Sequence, residues 1–156
     1  MPSLIYAFAR YKRGKVTVEQ AMEKYAPQVE KFFASMENPQ ADAREFWDGK
    51  MHKIKPFYKS QQQKDDLIIT ASPDFTIAEI CERLGIEHYI ASKIDLHTGK
   101  ILHFCMRSNK IKAFFEEYPD AQIENFYTDS PKNDKPLIDI ARNAYVVKGD
   151  VITKIK

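Results

Sequence analysis

The sequence predicts an α/β protein: a parallel sheet with helices on both faces, preceded by an all-helical segment. Three observations predict it. Residues 3–60 place apolar side chains at helical spacing and offer no strand candidate. From Asp66 onward, short apolar runs alternate with helical stretches. The first of those runs, Leu67-Ile68-Ile69-Thr70-Ala71, is continuously apolar, as in a strand covered on both faces.

Ser3 to Lys12 is an apolar segment with a basic end. Thr17-Val18-Glu19-Gln20 is a capping box, and the helix it opens carries Ala21, Tyr25, Val29 and Phe32 or Phe33 at helical spacing. Pro27 lies inside that run and predicts a kink or a split. Residues 36–42 read as a polar break. A third helix is expected to turn Phe46, Trp47, Met51, Ile54 and Phe57 inward, with Pro56 near its end.

After the strand at 67–71, Thr76-Ile77-Ala78-Glu79 is a second capping box. Its helix ends at Leu84, and Gly85 stands where a left-handed cap is wanted. Tyr89-Ile90-Ala91 is the next strand, and residues 93–104 predict a β-hairpin turning at His97-Thr98-Gly99-Lys100. Ser108 is expected to cap a helix with Ile111, Phe114 and Phe115 on one face, stopped by Pro119. A strand over Ile123–Thr128 follows, then a helix with Pro136 in its first turn that runs to about Asn143. Tyr145-Val146-Val147 is a strand, and Val151-Ile152 follows a Gly149-Asp150 turn.

A chain of 156 residues is one domain, or one domain with a small appendage. Lys plus Arg is 24 and Asp plus Glu 22, a net charge of +2. That balance predicts neither nucleic acid nor an anionic membrane as partner. Cys81 and Cys105 are too few for a disulfide framework. Glycine-based nucleotide cradles are absent. The N-terminal charges follow the apolar run, whereas a secretory signal places them before it. No stretch approaches the length of a membrane helix. The protein is expected to be cytoplasmic.

In parallel sheets, ligands bind at the carboxyl ends of the strands. Ser72 ends the first strand just ahead of a helix N-terminus, where a hydroxyl and free N–H groups can hold an anion. It also reads simply as a turn former with Asp74. Asp129 ends the strand at 123–128, and Asp134 follows five positions later. Two carboxylates there suit magnesium, which fills its other positions with water and phosphate. They equally suit an Asx turn at Asp129 and an N-cap at Asp134. Lys110 stands at a helix start, where a cation is disfavoured unless it faces an anion. It also reads as a solvated lysine beside Lys112. His52, His88, His97 and His103 have no ligand-like spacing and take no role. Trp47 reads as core.

The segments LIITASPDF at 67–75, SNKIKAFFEEYP at 108–119 and FYTDSPKNDKPL at 126–137 appear in that order. Together they resemble the haloacid dehalogenase superfamily, in particular its phosphoserine-phosphatase-like branch with a helical cap. The resemblance implies a helical cap at residues 1–62 and a Rossmann-like parallel core at 63–156. It implies magnesium as cofactor and a small phosphorylated metabolite as substrate. Ser72 would hydrogen-bond the phosphoryl group, and Lys110 would neutralise it. Asp129 would bind the metal, and Asp134 would complete or orient that site. This is phosphoryl transfer by positioning and electrostatics.

Two departures stand out. The second acid of the branch usually follows the first by four residues, where this sequence has Asn133 and then Asp134. The family's nucleophile is the first Asp of a D-x-D-x-T motif, and no two Asp residues here are separated by one position. The core is therefore expected to be incomplete, with its first strand missing, and the chain as given to have no turnover. That strand would lie between those ending at Ser72 and at Asp129. Its loss predicts two open edges, and with them self-association or a completing strand from another chain. Besides a truncated phosphatase, the sequence admits a non-catalytic phosphate- or magnesium-binding protein and one subunit of a split phosphatase.

Overall fold

The computed structural model describes residues 18–156. The expected segment Ser3 to Lys12, and Thr17 of the first capping box, lie outside the described residues. The fold is mixed α/β with parallel strand pairs. Its described residues form two compact units: 18–37 with Ile94–Leu102, and Asn38–Lys93 with His103–Lys156.

In the first unit, α1 (Val18–Ala34) runs through Pro27 as one helix rather than splitting there. The turn between Ile94 and Leu102 is closed by Asp95 N–H donating to the Lys100 carbonyl at 2.9 Å. The Asp95 carboxylate accepts from the Thr98 hydroxyl at 2.7 Å and from the His97 N–H at 2.9 Å. Those bonds hold its pKa below the usual carboxylate range. The Ile101 N–H donates to Glu30 Oε1 at 3.1 Å.

The second unit begins with three short helical pieces where one helix was expected: α2 (Pro39–Asp48), a 3₁₀ turn at Met51–Lys53, and α3 (Pro56–Gln61). Asn38, inside the expected polar break, caps α2 by accepting from the Ala41 N–H at 3.1 Å. Pro56 starts α3 instead of ending a helix, since a first-turn position needs no N–H. Phe46 is half exposed rather than inward. The packing joins residues 38–61 to the strands that follow. Trp47 Nε1 donates to the Thr76 carbonyl at 2.8 Å, and Gln62 Nε2 to the Leu84 carbonyl at 2.6 Å.

β1 (Leu67–Pro73) pairs in parallel with β2 (His88–Ile94), and α4 (Asp74–Leu84) connects them. The α4 helix begins at Asp74, two residues before the expected Thr76 cap. Its Phe75 N–H is satisfied by the Asp74 carboxylate at 3.0 Å. Glu79, expected to reach back in the capping box, instead pairs with Arg83 one turn on at 2.7 Å. Gly85 ends α4 at φ 67°, with the Ile86 N–H closing on the Cys81 carbonyl at 2.8 Å.

β3 (Ile101–His103) completes the order β1-β2-β3, so the expected hairpin connection runs from β2 to β3. α5 (Ser108–Glu117) has Arg107 at its N-cap, φ 50°, so Ser108 is inside the helix and not its cap. Phe114 on α5 is buried, while Phe115 is exposed and meets it edge-on. β4 (Asn125–Thr128) pairs in parallel with β5 (Asn143–Lys148) through the short α6 (Lys135–Ile140). β5 turns back antiparallel into β6 (Val151–Lys154).

The strands form two three-stranded sheets, β1-β2-β3 and β4-β5-β6, rather than one. Alternation sorts their side chains into two apolar layers. Ile68 of β1 and Ala91 of β2 pack with Ile77, Ile80 and Cys81 of α4, under Trp47 and Ile54. Leu67 and Ile69 of β1, Ile90 of β2 and Phe126 of β4 pack with Phe114 of α5 and Leu137 of α6. The two sheets thus share one layer of core. Every residue of β1 is only half-buried, unlike the fully covered strand the sequence suggests, and among the described residues β1 pairs with β2 alone.

Candidate functional site

The carboxyl ends of β1 and β4 carry the polar residues singled out in the sequence. At β1 the ladder slips between Ile69 and Pro73, so Thr70, Ala71 and Ser72 leave regular pairing. Side chains replace the lost ladder bonds. The Ser72 N–H donates to Thr70 Oγ1 at 3.2 Å, and the two hydroxyls meet at 3.3 Å. Ser92, buried on β2, donates to the Ala71 carbonyl at 2.9 Å and accepts from the Cys105 N–H at 3.0 Å. Ser72 is therefore half-buried and held directly ahead of α4, as the sequence predicts.

Lys110 lies in the first turn of α5, yet it is buried. It faces an anion, and that anion is Asp134: Nζ stands 2.6 Å from Oδ1. The second oxygen, Oδ2, accepts from Thr128 Oγ1 at 2.6 Å. Thr128 Oγ1 in turn accepts from the Ser130 N–H at 2.8 Å. Asp134 also occupies the N-cap position of α6, but its carboxylate makes no cap bond because both oxygens are spent on Lys110 and Thr128.

Cys105 sits against this network, fully buried among Ile90, Phe114 and Leu137. Burial pushes its thiol up to about 11, against the opposing pull of the Lys110 charge and of the Thr70 backbone. Cys105 thus touches the surroundings of both strand ends. The Cys81 thiol in the other layer is likewise pushed up to about 11 by burial.

Asp129 differs from that pair in exposure. It is exposed, one residue beyond β4, and lines a pocket of about 340 Å³ with Lys55, Phe57, Tyr127, Thr128 and Val147. The structure therefore brings Lys110 and Asp134 together, leaves Asp129 facing solvent beside Thr128, and places Ser72 at the end of β1 in the other sheet.

A divalent cation fits these residues incompletely. Asp129 offers a solvent-facing carboxylate, whereas Asp134 is already neutralised by Lys110. Among the described residues, no group of three His, Cys, Asp or Glu side chains is placed to hold a metal ion. Of the two carboxylates expected to meet magnesium, Asp129 faces solvent and Asp134 is bonded to Lys110 and Thr128. None of the described helices is long and apolar enough to cross a membrane.

Sequence reasoning passed over Thr70, Ser92 and Thr128. The signal for Thr128 was present: period-two alternation places it on the face of Phe126, toward the core, where a hydroxyl must find a partner. Lys55 and Phe57 come from a segment read only as helix, in which Phe57 was expected to turn inward as core.

A family model described as haloacid dehalogenase-like hydrolase matches residues 4–139, most of the chain. Comparison with curated proteins and with solved structures finds no match.

Proposed function

The chain belongs to the haloacid dehalogenase-like hydrolases, and on that premise we propose that its site is built for phosphomonoesters. Members of this superfamily typically use a divalent metal. The observation that supports the reading most is the buried Lys110–Asp134–Thr128 network behind the β4 strand end. A buried ammonium fixed by a doubly bonded carboxylate is a positioned charge rather than a solvated one. Ser72 and Lys110 would receive the phosphoryl group, and Asp129 would be the carboxylate that meets magnesium. Asp134 holds Lys110 in place. Residues 1–62 would act as the cap over the substrate.

The sequence holds no D-x-D-x-T motif. Phosphoryl transfer in this family needs that aspartate as nucleophile, so this polypeptide by itself binds phosphate without turning it over. A second reading is favoured by one specific observation. Among the described residues, β1 and β4 are edge strands of two sheets that share a core layer. A strand from another chain, inserted between them, would complete the sheet and could bring the nucleophile.

The test is a pair of measurements on the full chain. One is release of phosphate from p-nitrophenyl phosphate with magnesium present; the other is binding of inorganic phosphate by calorimetry. We expect no release, and binding that weakens in Ser72→Ala. Magnesium-dependent release abolished by Asp129→Ala would overturn the lack of turnover. Absence of phosphate binding in the presence of magnesium would overturn the phosphomonoester reading itself.

A further inference from the structure

The pocket beside Asp129 has walls that a phosphate group alone does not need. Its volume of about 340 Å³ is an order of magnitude above the roughly 30 Å³ share of a water molecule, and falls in the range of small-ligand sites. One side is aromatic. The Phe57 and Tyr127 rings lie 5.8 Å apart at 37°, and Val147 adds aliphatic surface.

That wall is backed. Tyr127 and Tyr145 are register partners on β4 and β5, and their rings stack at 4.7 Å and 13°. A ring supported in this way presents its pocket-lining surface with little rotamer freedom left to lose on binding. The lining carries one ammonium, Lys55, and one carboxylate, Asp129. Lys55 is exposed, so its charge is available to a ligand at the rim.

These features discriminate between leaving groups. A polyhydroxylated alcohol would set its hydroxyls against Phe57, Tyr127 and Val147, which offer few partners, and would lose hydration without replacement. A flat apolar ring can pack on the pocket-lining surface of both aromatic side chains. We infer that this pocket selects phosphomonoesters of a planar, apolar alcohol, with the ring against Phe57 and Tyr127; the phosphoryl group stays with Ser72 and Lys110, and Lys55 adds a second positive charge at the rim. The inference rests on the phosphomonoester reading above and adds the class of its alcohol. Lys55, Phe57 and Tyr127 become specificity residues.

Phenylphosphonate and methylphosphonate test it, because neither carries an ester bond and binding is read without turnover. The full chain, with magnesium present, is titrated with each by ligand-observed NMR. Phenylphosphonate should bind about tenfold more tightly. Phe57→Leu should bring the ratio close to one, and Lys55→Gln should weaken both ligands. Intermolecular NOEs from the phenyl protons to the Phe57 and Tyr127 rings in the unsubstituted chain provide a readout that needs no variant. Equal binding of the two phosphonates, or a preference without those NOEs, overturns the inference and leaves the phosphomonoester reading standing. Binding of neither overturns both.

Discussion

Lys110 and Asp134 form an ion pair 2.6 Å long, with about a tenth of either side chain exposed. Removing one partner leaves the other charge buried and uncompensated, which typically costs about 3–5 kcal/mol. Replacing both by apolar groups of similar size removes the penalty along with the attraction. We therefore expect Lys110→Met and Asp134→Leu each to lower stability by roughly that amount. The double variant should lose well under the sum of the two. Urea denaturation of the four proteins measures this. Additive losses would show that the two groups do not depend on each other.

Thr128 ties that pair to the strand end. Its hydroxyl donates to Asp134 at 2.6 Å and accepts from the Ser130 N–H at 2.8 Å. Thr128→Val keeps the shape and removes both bonds, one of them to a charged group. A loss of about 1.5–3 kcal/mol follows. Thr128→Ser should restore most of it, because it returns the hydroxyl while giving up one methyl group. Equal losses in the two variants would mean that packing, not hydrogen bonding, makes the residue matter.

The two variants also show what the sequence could and could not disclose. Strand and helix order from β1 to β6 was legible, because apolar runs, Gly85 and Pro136 are local signals. Lys110 at a helix start and the Asp129–Asp134 pair were legible as oddities of charge. Their partnership was not. Twenty-four residues separate Lys110 from Asp134, and only the packing of α5 beside α6 joins them. The helical segment misled for a different reason. Apolar spacing runs across Asp48 to Phe57 without a clear break, while the chain turns at Gly49 and restarts at Pro56. The split into two sheets was foreshadowed only by the expectation of a missing strand.

Gly99 and Gly85 both have positive φ, 73° and 67°, but their surroundings differ. A Cβ on Gly99 would collide with the backbone of Glu30 and Ala34 on α1, whereas one on Gly85 would meet open space. Gly85→Ala should therefore cost only the left-handed penalty, about 1–2 kcal/mol. Gly99→Ala adds overpacking of roughly 1–3 kcal/mol against rigid backbone. Hydrogen exchange of α1 amides separates the cases: Gly99→Ala should raise their exchange, and Gly85→Ala should leave it unchanged. Matching effects would mean that the turn at 95–100 does not pack on α1 as described.

Cys81 and Cys105 both favour the neutral thiol in the folded state, each pushed from 9.0 to about 11 by burial. Below pH 9 both states are protonated, and the shift has no effect. As pH rises through 9 the unfolded chain loses these protons while the folded chain keeps them. Stability must fall between about pH 9 and pH 11, by an amount on the order of 2 kcal/mol per thiol. Cys105→Ala should flatten that part of the pH profile even though it lowers stability at pH 7 by leaving a small cavity. A wild-type profile with no decline between pH 9 and 11 would contradict the burial of both thiols.

The open edges of β1 and β4 carry the last expectation. Among the described residues, each strand has a paired neighbour on one side only. Leu67 and Ile69 of β1 and Phe126 of β4 meet over the same helices, so the two edges border one lane above a common core layer. Backbone N–H and C=O groups along such a lane seek partners, and edge strands without protection recruit other chains. β6 adds exposed Val151 and Ile152 at the far edge. We expect self-association in sedimentation equilibrium and a melting midpoint that rises with protein concentration, since a partner that binds the folded form stabilises it by mass action. An apolar peptide with high strand propensity, added in trans, should compete with self-association through the lane. A monomer whose midpoint is high, independent of concentration and indifferent to such peptides would mean that the lane is closed in solution.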